Sequence, residues 1–195
     1  MDRAIGRLIN ELEQLGIRDN TLIVFASDNG AAVQAPLAEL KCNGSLRGRK
    51  GQLYEGGIRV PFIVNQPGKV KVQELDNLIY FPDVMPTLAN LARATDKLPQ
   101  RINGMNILPL FYGHQVETNN RLLYWEFTGK QRAARRGDWK VVSVKKDAPL
   151  ELYHISKDMT ESTNLAQDHP EIVKEFEQEM NKMRTPSPNW PLPNE

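Results

Sequence analysis

Two polar side chains near the start of the chain have types suited to metal binding. Asp28 and Asn29 lie in the string SDNG at residues 27–30. A carboxylate and an amide carbonyl are hard oxygen ligands of the kind that Ca²⁺ and Mg²⁺ prefer. A calcium shell takes roughly six to eight oxygens, so further ligands must come from elsewhere. The same residue types also favour turns, so the string alone leaves a turn and a metal site open.

A glycine-rich basic segment, LRGRKG at residues 46–51, offers a second candidate in Lys50. Glycines let the backbone approach an anion closely, and Lys and Arg supply charge-assisted donors, so a sulfate or phosphate ester suits this loop. The segment is not a P-loop, because it lacks the spacer and the Ser or Thr after the lysine. A solvated basic loop is the alternative.

The string YEGGIRVP at residues 54–61 indicates a tight backbone route rather than catalysis. We expect Glu55 and Arg59 to form a buried ion pair that fixes this loop, since Arg is the better cation for such a pair. The single cysteine, Cys42, has no histidine nearby in sequence and reads as an inert thiol. No two histidines share metal-ligand spacing; they are His114, His154 and His169.

The elements around these residues follow an α/β pattern. An apolar stripe from Ile5 to Leu15 predicts a helix that Gly16 ends. The unalternating run at residues 21–26 predicts a strand buried on both faces, as in a parallel sheet under helices. Asp28 and Asn29 would then follow its carboxyl end, where open α/β sheets bind ligands. A strand over residues 58–64, interrupted by Pro61, and a helix over residues 80–93 come next.

After Gly113 the pattern changes to short strands separated by turn residues. It predicts an antiparallel meander, then a helix from Pro170 to Met183 with proline in its first turn. We therefore predict an α/β part over residues 1–115, a small sheet-and-helix subdomain over 116–184 and a Pro-rich tail over 185–195. The predicted strands of the meander are residues 122–127, 132–135, 139–144 and 150–155.

Composition excludes several classes of function. Among 195 residues, 25 Lys and Arg balance 24 Asp and Glu, so a general nucleic-acid or membrane-surface role has no support. The sequence contains no run of about 18 apolar residues, so it predicts no transmembrane helix. Residues 1–10 mix charges into a helical pattern and contain no apolar signal-peptide core. The one cysteine excludes an internal disulfide and a four-cysteine zinc site.

Read in order, these strings resemble one family, the type I sulfatases, also called the formylglycine-dependent or arylsulfatase family. The similarity covers most of the chain, to about Met183, and the ordered combination is far more specific than any one piece. It favours the metal site over the turn at residues 27–30. The matching strings are DRAIGRL at 2–8, LGIRDNT at 15–21, SDNG, LRGRKG, YEGGIRVPF at 54–62, DVMPTL at 83–88, RGDWK at 136–140, ELY at 151–153 and the acidic turn at 158–165.

The resemblance implies roles for individual residues and an alkaline-phosphatase-like α/β sandwich followed by a small antiparallel sheet and a helix. Asp28 and Asn29 correspond to the family's second pair of metal ligands, usually for Ca²⁺, with Mg²⁺ an alternative. Lys50 corresponds to the lysine that contacts the sulfate and stabilises charge on the bridging oxygen as the S–O bond breaks. The implied partner is a sulfated small molecule or glycan, and the implied location is periplasmic, secreted or lysosomal.

One departure from the family concerns the nucleophile. The family makes its formylglycine from the cysteine of a Cys-x-Pro-Ser-Arg motif, whereas Cys42 is followed by Asn43, Gly44 and Ser45. The family's first Asp-Asp metal pair and its two active-site histidines would precede residue 1. We therefore expect formylglycine only in the upstream part of the intact protein, and no turnover by this chain alone. Sulfate-ester hydrolysis above a Lys50→Ala control would contradict that expectation.

Two alternatives to a sulfatase stay open on the sequence. Phosphonate and phosphodiester hydrolases of the same superfamily can share the metal pairs, although the strings around Lys50 and Glu55 favour a sulfatase. A non-catalytic sulfate-binding remnant is the other alternative, and tight binding of a sulfated sugar without turnover would favour it. The sequence identifies neither a particular substrate nor an oligomeric state.

Overall fold

The computed structural model describes residues 1–32, 40–127, 131–145 and 148–188. Contacts divide the chain into two compact units: Met1–Ala26 with Pro61–Thr118, and Ser27–Val60 with Asn119–Glu195. The chain passes from the first unit to the second for the last time after Thr118, near the predicted boundary at residue 115. Residues 27–60 group with the C-terminal sheet, whereas the sequence assigned them to the α/β part. Of the predicted tail, residues 189–195 lie outside the described residues.

The first unit begins with helix α1, Asp2–Gln14, as the apolar stripe predicts. Gly16 follows with φ 66°, a left-handed conformation that glycine adopts without a Cβ penalty and that ends the helix. A 3₁₀ turn at Arg18–Asn20 leads into strand β1, Ile23–Ala26. The Arg18 side chain binds the backbone oxygen of Thr21 and the side chain of Asn65, which stabilises this turn.

Strand β1 differs from its prediction in burial and in pairing. It pairs antiparallel with β2, Phe62–Asn65, with Val24 opposite Val64. Within the described residues these two strands form their own sheet, so the parallel neighbours that the apolar run predicted are not among them. Val24 is 36% exposed, and burial on both faces is therefore wrong for this strand. An unalternating apolar run reports composition and cannot by itself report which strands pair.

The rest of the first unit consists of short helices around a small apolar core. The predicted helix over 80–93 is a 3₁₀ turn at Phe81–Asp83 continued by α3, Val84–Leu91. A further 3₁₀ turn spans Thr95–Lys97, and α4 spans Leu108–Phe111. The buried carboxylate of Asp83 accepts backbone N–H bonds from Tyr80 and Met105, which ties the start of α3 to the later loop.

The second unit contains the four-stranded antiparallel meander that the sequence predicts, in the order β3-β4-β5-β6. Helix α5, Pro170–Met183, has the predicted bounds. A short helix, α2, precedes the sheet in sequence and spans Glu55–Ile58, so the strand expected from residue 58 begins only at Phe62, directly after Pro61. The strands of the meander are Leu123–Phe127, Gln131–Arg136, Trp139–Ser143 and Glu151–His154.

The two faces of this sheet have different partners. On one face, Val141 and Leu152 belong to a core that they share with Phe176 of α5. On the other face, Val142 and Tyr153 belong to a core shared with Leu53 and Tyr54. Because side chains alternate between faces along a strand, Lys140 shares the second face with Val142. The sheet therefore separates α5 from the segment that contains α2.

Within the described residues, no helix has both the length and the apolar character needed to span a membrane.

Candidate functional site

The loop that contains Asp28 and Asn29 follows β1 directly, as the sequence predicts. Asp28 is exposed, and Asn29 is half-buried. The Ser27 hydroxyl donates to the backbone oxygen of Asn29 at 2.9 Å, which closes the turn. The side-chain oxygen Oδ1 of Asn29 is buried and has no hydrogen-bond partner among the described residues. A buried oxygen without a donor is costly in a folded protein and is a natural position for a cation.

The loop that contains Lys50 is hydrogen-bonded to the Asp28 loop through the backbone. The N–H of Lys50 donates to the oxygen of Ala31 at 3.0 Å. Asn43 joins the same two loops with its side chain, because Oδ1 accepts from the N–H of Ala31 at 3.0 Å and Nδ2 donates to the oxygen of Gly48 at 2.9 Å. The Lys50 side chain is exposed. The structure therefore brings the loops of all three predicted site residues together.

Helix α2 contacts both loops through the backbone of its two glycines. The N–H of Gly30 donates to the oxygen of Gly57 at 3.0 Å, and the N–H of Gly56 donates to the oxygen of Arg47 at 2.6 Å. A Cβ at Gly30 would overlap the oxygen of Gly56, and one at Gly57 would overlap the oxygen of Gln52. Side chains larger than hydrogen would separate the three segments, so the glycines permit their close packing.

Asp28 and Asn29 fit a hard divalent cation by donor type and by the unpaired Oδ1 of Asn29. They supply only part of a ligand shell. No group of three or more His, Cys, Asp or Glu residues that could hold a metal occurs among the residues that the structure describes. Cys42 is exposed and unpaired, and the residues after it do not match the motif that yields formylglycine, so no step is assigned to it.

The predicted pair of Glu55 and Arg59 is present as part of a larger ionic cluster, but only Glu55 is buried, and the Arg59 side chain is exposed. Arg59 Nη1 lies 3.3 Å from Glu55 Oε2, and Arg135 Nη1 lies 3.5 Å from the same oxygen. Lys140 Nζ lies 2.8 Å from Glu55 Oε1. Burial alone would raise the pKa of Glu55, but the cations, Lys140 foremost, hold it below its ordinary value. Glu55 is thus a buried anion with several cationic partners, and its contacts are structural.

Arg47, from the Lys50 loop, is held by a cluster of aromatic and acidic side chains. Its guanidinium lies 3.9 Å from the ring centre of Tyr54 and donates to the Tyr153 hydroxyl at 2.9 Å. The hydroxyls of Tyr54 and Tyr153 both donate to Glu151 Oε2, at 2.6 and 2.7 Å. Burial and the neighbouring Glu151 carboxylate raise the pKa of Tyr153 to about 12. This cluster attaches the basic loop to strand β6.

Sequence reasoning missed three residues that organise the site: Asn43, Lys140 and Glu161. Lys140 and Glu161 lie in strings that matched the family, RGDWK and the acidic turn at 158–165, but nothing in those strings indicated a contact with Glu55. A signal was available for Lys140. It lies between Trp139 and two valines in a predicted strand, and a lysine that such a strand buries needs an anionic partner.

Two family models match this chain. The one described as "Sulfatase" covers residues 1–94, and the one described as "N-sulphoglucosamine sulphohydrolase, C-terminal" covers residues 49–186. An N-acetylgalactosamine-6-O-sulfatase of Bacteroides thetaiotaomicron is 30% identical over 95% of this chain. A sulfatase of Formosa agariphila is 32% identical over 87% of it. The solved structure of Ps i-CgsB in complex with k-i-k-neocarrahexaose is 28% identical over 99% of the chain, with a TM-score of 0.81.

The chain spans only part of these similar proteins. It covers 40% of the Bacteroides sulfatase, 34% of the Formosa sulfatase and 43% of the Ps i-CgsB chain. The likeness to solved sulfatases confirms the expected alkaline-phosphatase-like fold class, and the second family model matches most of the chain. The chain belongs to the sulfatase family and corresponds to the C-terminal part of its members.

Proposed function

We propose that the protein containing this chain hydrolyses sulfate esters, and that Asp28, Asn29 and Lys50 form part of its active site. The observation that supports the proposal most directly is the hydrogen bond that joins the loop of Lys50 to the loop of Asp28 and Asn29. The backbone of Lys50 is hydrogen-bonded to Ala31, two residues after Asn29. Membership of the sulfatase family adds support, because these three residues match the family's ligand pair and its sulfate-contacting lysine.

In this proposal Asp28 and Asn29 hold a divalent cation, Ca²⁺ first and Mg²⁺ second. Such an ion would neutralise charge and hold the sulfate beside the nucleophile when bound. Lys50 is exposed, so its ammonium is accessible to a substrate. It would donate to the bridging oxygen and stabilise the negative charge that develops there as the S–O bond breaks. Formylglycine, the family's nucleophile, is proposed only for an upstream segment.

The substrate class we propose is a sulfated glycan or a smaller sulfated molecule. Two of the similar proteins support a glycan: one is named an N-acetylgalactosamine-6-O-sulfatase, and the other was solved with k-i-k-neocarrahexaose. By the same family membership, we propose a periplasmic, secreted or lysosomal location.

The metal assignment is tested by calorimetric titration of Ca²⁺ into the full-length gene product that contains this chain, because Asp28 and Asn29 supply only part of the ligand shell. We expect Asp28→Ala and Asn29→Ala to weaken binding by at least about tenfold, since even the loss of an outer-shell partner costs that much. Matched controls are Asp96→Ala, whose carboxylate is exposed beside Lys97, and Asn181→Ala, whose side chain is exposed beside Arg132. Equal losses in variants and controls, or no loss, would contradict the assignment.

The reaction is tested in the full-length gene product that contains this chain, with an aryl sulfate as substrate. Lys50→Ala should lower kcat by about 10² to 10³, the range for removing one group that stabilises transition-state charge. Lys97→Ala, at an exposed lysine beside Asp96, is the control. Hydrolysis of a phosphodiester but not of a sulfate ester would replace the proposal with the phosphodiesterase alternative. Sulfate binding without turnover would favour a non-catalytic protein.

A further inference from the structure

Glu161 lies at the centre of a buried contact between the C-terminal segment and helix α2. Its side chain is 0% exposed, and Oε2 accepts the backbone N–H of Glu55 at 2.6 Å. Its other oxygen, Oε1, lies 2.8 Å from Lys140 Nζ in an ion pair. Lys140 is also 0% exposed and binds Glu55 as well. One buried ammonium therefore bridges two buried carboxylates.

The backbone at Glu161 is in an unfavourable conformation that its side chain must offset. Its φ is 53°, in the left-handed region where glycine and asparagine are the usual residues. The turn around it is held by Asp158, whose carboxylate accepts the N–H groups of Ser162 and Thr163 at 2.8 Å each. Asn164 adds a bond from the N–H of Leu152. Strain that persists at a well-supported position often marks a functional requirement.

A short series of contacts links Glu161 to the proposed metal loop. Glu161 holds the first amide of α2, Glu55, and the carbonyl of Gly57 in the same short helix accepts the N–H of Gly30. Gly30 directly follows Asn29 in sequence. On the other side, the backbone oxygen of Glu161 accepts a bond from Arg47 Nη1 at 2.8 Å, which reaches the loop of Lys50. Glu161 is thus connected to both loops: to the loop of Asn29 through α2, and to the loop of Lys50 through Arg47.

Stability alone is a weak reason for such an arrangement. Taking two carboxylates and an ammonium out of water is expensive, and apolar side chains of similar size often do as well or better. Burial raises the pKa of Glu161 above its ordinary value even beside Lys140. What the charges supply, and apolar packing does not, is a directional acceptor for the Glu55 N–H.

We propose that Glu161 and Lys140 are positioning residues, a buried ionic support that fixes helix α2 and thereby the loops of Asn29 and Lys50. The part of this role that concerns metal binding rests on the proposed function. The part that concerns loop order does not, because it can be measured without metal or substrate.

The test is amide hydrogen exchange followed by NMR on the chain with Glu161→Gly. Glycine relieves the left-handed strain but removes the carboxylate. We expect the Glu55 and Gly30 amides to exchange about tenfold faster or more, the factor that loss of one hydrogen bond to a charged group gives. Amides of the β4–β5 ladder should keep their rates. Uniform acceleration, or an unchanged rate at Gly30, would overturn the proposal.

Further variants keep the test decisive. Glu161→Gln retains an acceptor for the Glu55 N–H and should restore most of the protection at Glu55. If Glu161→Gly does not fold, Glu161→Asn takes its place, because asparagine tolerates the left-handed conformation and its shorter side chain does not reach the Glu55 N–H. A larger change at Gly30 than in the β4–β5 ladder then supports the proposal, and equal changes overturn it. Glu175→Gln, at an exposed partner of Arg136, is the matched control and should leave every rate unchanged.

A calcium titration of the full-length gene product that contains this chain separates this inference from the proposed function. If the wild-type protein binds Ca²⁺, Glu161→Gly should weaken binding relative to Glu175→Gln, and equal affinities would overturn the link to the metal loop. If the wild-type protein binds no Ca²⁺, the metal assignment fails. The exchange rates at Gly30 then still decide whether Glu161 orders the loop.

Discussion

The carboxylate of Glu161 accepts a 2.6 Å hydrogen bond from the backbone N–H of Glu55, 106 positions earlier in the chain. This contact joins two strings that resemble the family separately, the YEGGIRVP segment and the late acidic turn. The two strings are therefore physically connected, because the acidic turn supplies the carboxylate that binds the first amide of α2. The loops next to α2 contain every residue proposed for the site.

Removing the cation from this cluster should be costly. We expect Lys140→Met to lower the free energy of unfolding by about 3 kcal/mol or more, because buried Glu161 would either hold its charge without a partner or have to take up a proton. Adding Glu161→Gln should recover part of the loss, since the pair is then neutral. Urea unfolding measures both, and Lys174→Met, at an exposed position of α5, should change stability by less than about 0.5 kcal/mol. Equal stability of the single and double variants would contradict the buried charge pair.

Gly57→Ala should destabilise the chain because of close packing rather than backbone conformation. The added Cβ would overlap the oxygen of Gln52 and lie 2.7 Å from the oxygen of Arg49, both backbone atoms that cannot rotate away. We expect a loss of about 3 kcal/mol, at the upper end of overpacking. Gly6→Ala in helix α1 meets no atom within 4 Å and should stabilise by up to about 1 kcal/mol. Thermal unfolding compares the two, and similar effects at both positions would be evidence against this packing.

Asn43→Ala should weaken the union of the two proposed site loops. It removes an acceptor for the N–H of Ala31 and a donor to the oxygen of Gly48. We expect a cost of about 1 to 3 kcal/mol in stability and weaker Ca²⁺ binding, because the ligand loop loses a support. Chemical unfolding and calcium titration measure the two effects. Asn181→Ala, which loses an exposed contact with Arg132, should change neither. Unaltered Ca²⁺ affinity in Asn43→Ala would contradict a link between the loops.

The acidic turn should show its own pH dependence. Hydrogen bonds from the Thr160 hydroxyl and from Ser162 and Thr163 lower the pKa of Asp158 from 3.8 to about 2. Because the folded value lies below the unfolded one, the stabilisation is complete above the unfolded pKa and is lost as pH falls through this window. The difference in Tm between the wild-type chain and Asp158→Asn should therefore narrow on acidification towards pH 2.

The buried carboxylates of Glu55 and Glu161 do not affect this difference in Tm. Glu55 has a lowered pKa and acts in the same direction, whereas the raised pKa of Glu161 acts in the opposite one. Both are present in the wild-type chain and in the variant, so they cancel in the difference. Asp96→Asn, at an exposed carboxylate, is the control substitution. A constant difference for Asp158→Asn would contradict the lowered pKa.

Local patterns in the sequence predicted the elements that neighbouring residues control. Helix α1 ends before Gly16, the meander follows its turn residues, and α5 begins at Pro170, as expected. The prediction failed at β1, where an apolar run indicated burial on both faces but Val24 is exposed. It also failed at residues 55–58, which form a short helix, whereas a tight turn at the two glycines was expected to lead into a strand from residue 58. Burial and pairing depend on distant segments, which periodicity does not report.

The sequence by itself determined the family, the order of most helices and strands, and the residue types at 28, 29 and 50, since an ordered set of short strings is specific. The roles of those three residues stay predictions. Only the tertiary structure decided that the loops of Asn29 and Lys50 meet and that Asn43 joins them. It also decided that Lys140 and Glu161 contact Glu55 at the start of α2, which packs against both loops. The physical reason is distance along the chain: a contact between residues about a hundred positions apart exists only once both segments are packed.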